Sequence, residues 1–271
     1  NNDLQALPDD VLRAPRLAWV ALAGNPRLVG FGSLGSARET TMEASETSDA
    51  VALRKRASGS VRSAAFKRTP CAVKELLETS SDGAASDELA VHARVAGATP
   101  ATLIKTLAIV RKPPAVVMER LTKNARDLAR PPTIIEVTRD RYEDGERYAP
   151  AFAVTLVKGL AEALRYLHSK RVAHGDVYGH NTLVLDSTGA AKLGDFGASF
   201  YYGELAPSAQ KLIERVEVRA FGVLCAEIAT RVVSAAATRD RLLAVADDCL
   251  RGDAAARPSF ERLVAALGNV N

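Results

Sequence analysis

Two short motifs carry the side chains with the clearest capacity for chemistry. The first is His174-Gly-Asp-Val-Tyr-Gly-His-Asn181, and the second, fourteen residues further on, is Asp195-Phe-Gly197. Transfer of a phosphoryl group from ATP needs one carboxylate to receive the proton of the acceptor hydroxyl, and oxygen ligands to hold Mg²⁺ against the phosphates. Asp176 suits the first task, and Asn181 together with Asp195 suits the second.

The elements around these residues are expected to bring them together. Residues 182–185 and 191–193 are apolar and partly β-branched, which predicts two short strands, and Asp186-Ser-Thr-Gly189 between them is typical of a turn. The resulting hairpin places Asp176, Asn181 and Asp195 at one end of the paired strands.

The two motifs resemble those of the protein kinase family, whose catalytic loop reads H-R-D-x-x-x-x-N and whose metal loop reads D-F-G. Residues 159–168 are similar to the buried helix before that loop, residues 217–228 to the central helix of the large lobe, and Arg257-Pro-Ser-Phe260 to the closing element of the family. The resemblance implies an α+β, bilobal fold, with a small antiparallel β lobe plus one helix and a mostly helical large lobe.

The resemblance also assigns the residues that would bind MgATP. Lys74, in Cys71-Ala-Val-Lys74, would hold the phosphates, and Glu88 on a following helix would fix its position. The implied catalytic set is Asp176, Lys74 and Glu88, and the implied Mg²⁺ ligands are Asn181 and Asp195.

Two segments compete for the role of the phosphate-covering loop. Residues 30–35 match G-x-G-x-x-G, but Lys74 lies 39 residues beyond Gly35, too far for a hairpin of two short strands. We therefore interpret 30–35 as a chance match and assign the loop to 53–61, in which Gly59 precedes Lys74 by fifteen residues. There Arg54 and Arg56 stand where the family has glycines, and Val61 stands where it stacks an aliphatic side chain on adenine.

The remaining nucleotide contacts are expected at the junction between the lobes. Residues 116–121 resemble the strand and hinge of the family. Met118 would border the adenine pocket, and the backbone of Glu119 and Leu121 would hydrogen-bond the base. Ala72 and Leu183 would enclose the base from either face.

Several positions depart from the family pattern. Gly175 replaces the arginine that in many kinases binds a phosphorylated activation segment, and Tyr178 replaces the lysine of serine/threonine kinases. Only 22 residues separate Asp195 from Glu217, which predicts a reduced peptide-docking platform. Arg257 loses its usual carboxylate partner, and Glu214 is the expected substitute.

The composition agrees with an ordinary globular protein. The chain has 271 residues, of which 47% are hydrophobic and 25% are charged, with a net charge of +4. The charge is modest and its basic residues are scattered, so we expect no nucleic-acid partner. The three cysteines indicate buried, reduced thiols and a cytoplasmic location, and no apolar run approaches the roughly 20 residues of a membrane span.

The first thirty residues indicate a separate module. Leu17-Ala-Trp-Val-Ala-Leu22-Ala-Gly-Asn25 matches the leucine-rich repeat pattern L-x-x-L-x-L-x-x-N. About three stacked repeats are needed for stability, so this fragment implies either further repeats upstream or packing on the kinase lobe. The expected division is a partial repeat at 1–29, a linker at 30–45, a small lobe at 46–120 and a large lobe at 121–271.

Three functions remain open at this point. The favoured one is an ATP- and Mg²⁺-dependent protein kinase acting on a protein hydroxyl, serine or threonine rather than tyrosine, with a protein ligand for any upstream repeats. The second is a small-molecule kinase, because H-G-D is also typical of aminoglycoside and choline kinases. The third is a catalytically silent pseudokinase scaffold, suggested by Arg54, Arg56 and Tyr178.

Overall fold

The computed structural model describes residues 4–25, 28, 51–56, 59–79 and 83–268, with backbone only for 51–59. The first element is a single helical turn, α1 (Asp9–Leu12). A small lobe of five strands and one helix follows, and then a large lobe that is mostly helical.

The small lobe is one antiparallel sheet with the order β1-β2-β3-β5-β4. One helix, α2, enters the chain between β3 and β4 and packs against β4 and β5. The elements are β1 (Val51–Arg56), β2 (Gly59–Phe66), β3 (Thr69–Leu76), α2 (Ala85–Val95), β4 (Thr106–Arg111) and β5 (Pro114–Glu119).

The alternation of side chains along β3 determines what faces the cleft. Cys71 and Val73 are buried in an apolar cluster on one face of the sheet. Because residues two apart in a strand share a face, Ala72, Lys74 and Leu76 lie on the other face, where Leu76 packs with residues of α2. The strand thus directs Lys74 towards α2 and the cleft between the lobes.

The large lobe is built around two long helices, α3 (Pro150–Ser169) and α4 (Pro207–Ala229). Leu156, Leu160 and Leu164 recur along one face of α3 and are 0–2% exposed, so the helix forms the centre of the core. The other elements are β6 (Arg126–Asp127), β7 (Val172–Ala173), a 3₁₀ turn (Gly179–Asn181), β8 (Thr182–Val184), β9 (Ala191–Leu193), β10 (Phe200–Tyr201), α5 (Ala236–Cys249), a 3₁₀ turn (Ala254–Ala256) and α6 (Phe260–Gly268).

The hairpin expected after the first motif is present. Strands β8 and β9 pair antiparallel, and Asp186 accepts a hydrogen bond from the amide of Thr188 in the turn. Gly189 closes the turn with φ +87°, a conformation that glycine adopts without strain. A Cβ there would lie 2.2 Å from the carbonyl oxygen of Phe152, so the hairpin is seated tightly on α3.

The central helix begins earlier than the sequence predicts. The sequence pattern places its start at Glu217, but α4 starts at Pro207, a residue that favours the first turn of a helix because its φ is already helical. Part of the stretch between Asp195 and Glu217, from Pro207 onwards, therefore belongs to this helix. Only residues 202–206 connect β10 to it, so the segment after Asp195 is even shorter than expected.

The N-terminal segment packs on the large lobe. Leu22 and Leu12 are buried with Leu212, Ile213 and Val216 of α4. Asn25 is buried, donates to the carbonyl oxygen of Leu22 at 3.0 Å and accepts from the amide of Leu4 at 3.0 Å. No strand is assigned within 4–25, and the leucine-rich repeat origin of this segment stays a prediction. The expected linker at 30–45, with the G-x-G-x-x-G match, lies outside the described residues.

Among the helices of the described residues, none combines the length and the apolar composition that crossing a bilayer requires. All three cysteines are buried and free, as the sequence indicated.

Candidate functional site

A buried lysine occupies the centre of the cleft. Lys74 lies mid-strand in β3, and its Nζ is 2.6 Å from Oε1 of Glu88 and 2.8 Å from Oδ1 of Asp195. Burial favours the neutral amine, but the carboxylates of Asp195 and Glu88 outweigh it and raise the pKa of Lys74 above its usual value. The lysine is therefore a fixed positive charge that joins the small lobe to the D-F-G motif.

Glu88 is oriented by its position in the first turns of α2, fourteen residues after Lys74. His92, one helical turn further on, lies with Nε2 3.8 Å from Oε1 of Glu88, and its Nδ1 is 2.7 Å from Oγ1 of Thr106. Burial lowers the pKa of His92. In the sequence, the i, i+4 spacing from Glu88 is the one signal that links His92 to the site, and it is too weak to assign a role.

The catalytic-loop candidates Asp176 and Asn181 contact each other, and Asn181 shares the cleft with Lys74. The side-chain nitrogen of Asn181 donates to the backbone oxygen of Asp176 at 3.0 Å and to its Oδ2 at 2.7 Å. Burial raises the pKa of Asp176, while His174, His180 and the hydrogen bond from Asn181 act in the opposite direction. The Asp176 side chain is still 38% exposed, so an acceptor group can reach it.

The loop that carries Asp176 is anchored on its N-terminal side by His174. His174 is fully buried, and its Nε2 lies 3.0 Å from the carbonyl oxygen of Gly194, which precedes Asp195. Phe196 packs edge-on against the rings of both His92 and His174. These contacts fix the D-F-G motif against the catalytic loop and against α2.

The same loop is anchored after the aspartate by a residue that the sequence did not single out. Asp140, in the irregular segment before α3, accepts hydrogen bonds from the amides of Gly179 and His180. Its other oxygen lies 2.7 Å from Nδ1 of His180. Asp140 comes from a stretch without periodic pattern, which explains why sequence reasoning missed it.

An open cavity of about 380 Å³ lies between the lobes. Lys74, Glu88, Asp195 and Asn181 form its polar end. The other residues predicted to bind the nucleotide also line it, namely Val61, Ala72, Met118, Glu119, Leu121 and Leu183. Gly59 begins β2, and its contacts lie outside what the structure describes.

The strand bounds show where the segment assigned to the phosphate-covering loop lies. β1 ends at Arg56 and β2 begins at Gly59, and Val61 pairs with Lys74 across β2 and β3. The segment assigned to the phosphate-covering loop is therefore the connection between the first two strands. Its turn residues 57 and 58, and the side chains of Arg54 and Arg56, lie outside what the structure describes.

The groups that line the cavity suit a nucleoside triphosphate with a divalent cation. The apolar end can enclose a flat base, and the fixed cation of Lys74 can pair with phosphate oxygens. Among the described residues, no group of three or more His, Cys, Asp or Glu side chains could bind a metal by itself. A Mg²⁺ ion that keeps only one or two protein oxygen ligands and takes the rest from phosphate and water fits this site.

The prediction that Glu214 would serve as the carboxylate partner of Arg257 is wrong. Glu214 does not pair with Arg257, because it accepts from Tyr202 at 2.8 Å and from Arg171 at 3.0 Å instead. Arg257 is 2% exposed and donates to four backbone carbonyl oxygens, those of Arg251, Arg215, Gly252 and Pro15. The guanidinium thus ties α4, the segment before α6 and the N-terminal segment together, with no carboxylate partner in the described part of the chain.

Comparison with known proteins agrees with this geometry. The chain is 37% identical over 90 residues to Aurora kinase A-B of Xenopus laevis, covering 26% of the chain and 21% of that protein. It is 32% identical over 106 residues to a probable leucine-rich repeat receptor-like protein kinase of Arabidopsis thaliana, covering 32% of the chain and 9% of that protein. A probable myosin light chain kinase of Dictyostelium discoideum is 48% identical over 48 residues, which is 18% of the chain and 10% of that protein. The chain thus spans a small part of each relative's length.

The family comparison covers more of the chain. The family described as "Protein kinase domain" matches residues 56–216, which is more than half of the 271 residues. The matched range runs from the end of β1 into α4 and includes Lys74, Glu88, Asp176 and Asp195. The chain belongs to the protein kinase family.

Proposed function

We propose that the chain is an ATP- and Mg²⁺-dependent protein kinase that phosphorylates serine or threonine hydroxyls. The observation that carries the proposal is the position of Lys74, held between Glu88 and Asp195 at the polar end of an open cavity. Asp176 is hydrogen-bonded by Asn181, which lines the same cavity, and 38% of its side-chain surface is open to an acceptor.

Each side chain has a proposed task, and Asn181 has two. Asp176 orients the acceptor hydroxyl and takes its proton, and Asn181 holds that carboxylate through its amide nitrogen. Lys74, fixed by Glu88, pairs with phosphate oxygens. MgATP, when bound, supplies the phosphoryl group and the metal charge, and we propose Asn181 and Asp195 as the protein ligands of Mg²⁺. The rate enhancement rests on positioning and charge neutralisation.

The base would lie at the apolar end of the cavity. Ala72 and Val61 from the small lobe and Leu183 from the large lobe form its two walls. The amide of Glu119 donates to the carbonyl oxygen of Lys105 at 2.9 Å, so Glu119 is proposed to contact the base through its carbonyl oxygen only. The amide of Leu121, two residues further along the hinge, is proposed as the donor.

A thermal-shift titration with ATP, with and without Mg²⁺, tests nucleotide binding before any acceptor is known. At ATP concentrations about 100 times Kd, binding stabilises the folded state by about 2.7 kcal/mol, which raises Tm by roughly 5 °C or more. The Mg²⁺-dependent rise should disappear in Lys74→Met and in Asp195→Ala. Lys211→Met, an exposed lysine on α4, is the matched control and should keep it. A folded chain without any shift would refute the proposal.

Phosphotransfer is tested with Asp176→Asn. Loss of the proton acceptor should lower kcat by about 10²- to 10⁴-fold, with MgATP binding retained. Labelling a peptide array that contains serine, threonine and tyrosine acceptors measures the acceptor preference. Phosphorylation of a sugar or amino alcohol, with no labelled peptide, would instead support the small-molecule alternative.

One observation favours the pseudokinase alternative. Tyr178 donates from its hydroxyl to the carbonyl oxygen of Val137 at 2.8 Å, and its ring stacks on Trp19. The position therefore supplies no cation to a transferring phosphoryl group. MgATP binding without phosphotransfer above the level that Asp176→Asn retains would identify the chain as a nucleotide-binding scaffold.

A further inference from the structure

The N-terminal segment contacts the catalytic loop directly. We call residues 15–25 the strap. The ring of Trp19 stacks on Tyr178 with 4.6 Å between ring centroids and 9° between planes. Its Nε1 donates to the carbonyl oxygen of Val177 at 3.1 Å. Both partners follow Asp176 immediately in the chain, so the strap holds the loop on that side.

The strap also lies against the residue before Asp176. The carbonyl oxygen of Val20 is 3.2 Å from the place that a Cβ on Gly175 would take, and that of Ala198 is 2.5 Å from it. Gly175 has φ +79°, so both its backbone conformation and its surroundings require a glycine. The space beside position 175 is filled by the strap and by the residue that follows the D-F-G motif.

The end of the strap reaches the helix that carries Glu88. The amide of Gly24 donates to Oδ2 of Asp87, the neighbour of Glu88 in the first turns of α2. A Cβ on Gly83 would lie 2.7 Å from Cβ of Ala23 and 3.4 Å from the carbonyl oxygen of Gly197. The strap therefore connects the catalytic loop to the start of α2 and lies close to the D-F-G motif.

The strap is anchored at both ends of its path and leaves the site accessible. Arg257 binds the carbonyl oxygen of Pro15 at 3.1 Å, and Leu22 and Asn25 are buried. The chain between β10 and α4 comprises only residues 202–206. Asp176 keeps 38% of its side-chain surface exposed with these contacts in place. These contacts hold the catalytic loop in position and leave the Asp176 side chain accessible.

We propose that the strap sets the relative position of the catalytic loop and α2, with Trp19 and Asp87 as positioning residues for phosphoryl transfer. The proposal rests on the kinase function proposed above. It extends that function by assigning the ordering of the site to a segment about 150 residues before the catalytic loop, built into the same chain.

Paired variants test the two contacts. Trp19→Ala removes the stack and Asp87→Ala removes the acceptor of Gly24, and each should lower kcat about 10- to 100-fold, as small misplacements of catalytic groups do. Trp19→Phe keeps an aromatic stack although it loses the donor to Val177, and Asp87→Asn keeps an acceptor oxygen, so both should stay within about threefold of the unchanged chain. Kinetics with MgATP and dephosphorylated casein measure kcat and KM separately.

A stability control separates positioning from general loss of folding. Phe66→Ala creates a cavity in the apolar cluster on the face of the small-lobe sheet that carries Cys71 and Val73, a cluster that includes no described residue of the strap or the catalytic loop. It should lower Tm at least as much as Trp19→Ala while leaving kcat within about threefold at temperatures well below Tm. If kcat instead falls in step with Tm across all the variants, the positioning role is refuted.

A second readout does not depend on turnover. Hydrogen exchange of the intact chain should become faster at 84–90 and 174–181 in Trp19→Ala and Asp87→Ala, and should be unchanged in the conservative variants. Unchanged exchange in the alanine variants would overturn the proposal, whatever their activity. Failure of the kinase function itself would appear differently, as turnover that Asp176→Asn does not alter, and the exchange comparison would still decide the role of the strap.

Discussion

Glu217 accepts a hydrogen bond from the backbone amide of Gly175 at 2.9 Å, and its other carboxylate oxygen lies 2.7 Å from Nε2 of His168. The side chain comes from the middle of α4, while His168 lies in the last turn of α3. Burial opposes ionisation, but the hydrogen bonds from His168 and Gly175 outweigh it and lower the pKa of Glu217. The two core helices thus fix the residue directly before Asp176.

Glu217→Ala is expected to weaken both stability and catalysis. The amide of Gly175 and the ring of His168 lose their shared acceptor inside the protein, which costs about 2–4 kcal/mol. The loop that carries Asp176 then loses its link to α4, so kcat should fall more than KM for ATP rises. Urea unfolding and steady-state kinetics measure the two effects.

The control for this variant is Glu261→Ala, a change of the same type at an exposed position in α6. It should alter the free energy of unfolding by less than about 0.5 kcal/mol. If Glu217→Ala behaved like this control, the carboxylate would not anchor the loop.

Glu227 should make stability fall as pH rises. Burial and the nearby charge of Asp140 raise the pKa of Glu227 to about 7, although Tyr142 donates to its Oε2 at 3.0 Å. Its Oε1 has no hydrogen-bond partner among the described residues. Because the folded state holds this proton more tightly than the unfolded chain, unfolding becomes easier between about pH 5 and pH 8.

Glu227→Gln removes this titration while keeping the shape of the side chain. The variant should match the unchanged chain near pH 5 and exceed it by up to about 3 kcal/mol near pH 8. Urea unfolding at several pH values measures the difference in the free energy of unfolding between the two proteins. Other titrating groups contribute equally to both proteins, so their contributions cancel in this difference. A difference that does not change with pH would contradict the raised pKa.

The sequence alone predicts the arrangement of site residues where a short local motif determines it. Lys74 and Glu88 were paired from their spacing within the family pattern, and the structure places their charged atoms 2.6 Å apart. This succeeded because one strand and one helix of standard geometry carry the two residues. The hairpin between Asn181 and Asp195 was predictable for the same reason, since the turn and the strand pattern are local.

Contacts between distant parts of the chain were not predictable. Trp19 stacks on a residue 159 positions later, and no periodicity links the two segments. Asp140 comes from an irregular stretch, and its role emerges only when the fold places it under Gly179. Charge alone pairs Glu214 with Arg257, but in the fold Glu214 accepts from Tyr202 and Arg171 instead. Such choices depend on packing that no local pattern records.

Gly189→Ala is expected to destabilise the hairpin that positions Asn181 and Asp195. The residue has φ +87°, and an added Cβ would lie 2.2 Å from a backbone oxygen of α3 that cannot move alone. Backbone strain of about 1–2 kcal/mol adds to the displacement of the hairpin. The free energy of unfolding and kcat should both fall.

Gly145→Ala is the matched control for this change. Gly145 also has positive φ, at +74°, but nothing among the described residues lies within 4 Å of the place that its added Cβ would take. It should show the conformational cost of about 1–2 kcal/mol alone, with unchanged kcat. Equal losses in the two variants would mean that the contact with α3 does not constrain the hairpin.

Arg257→Lys should release the N-terminal segment from the large lobe. The planar guanidinium reaches four backbone carbonyl oxygens, including that of Pro15, and a single ammonium group cannot span them. The unpaired carbonyl groups should lower the free energy of unfolding by about 2–3 kcal/mol. Limited proteolysis should then cut within residues 13–18 faster than in the unchanged chain.

Arg251→Lys, at an exposed arginine paired with Asp248, should change neither measurement appreciably, because surface ion pairs contribute only about 0–1 kcal/mol. If Arg257→Lys left the cleavage rate near Pro15 unchanged, the guanidinium would not be the anchor of this segment.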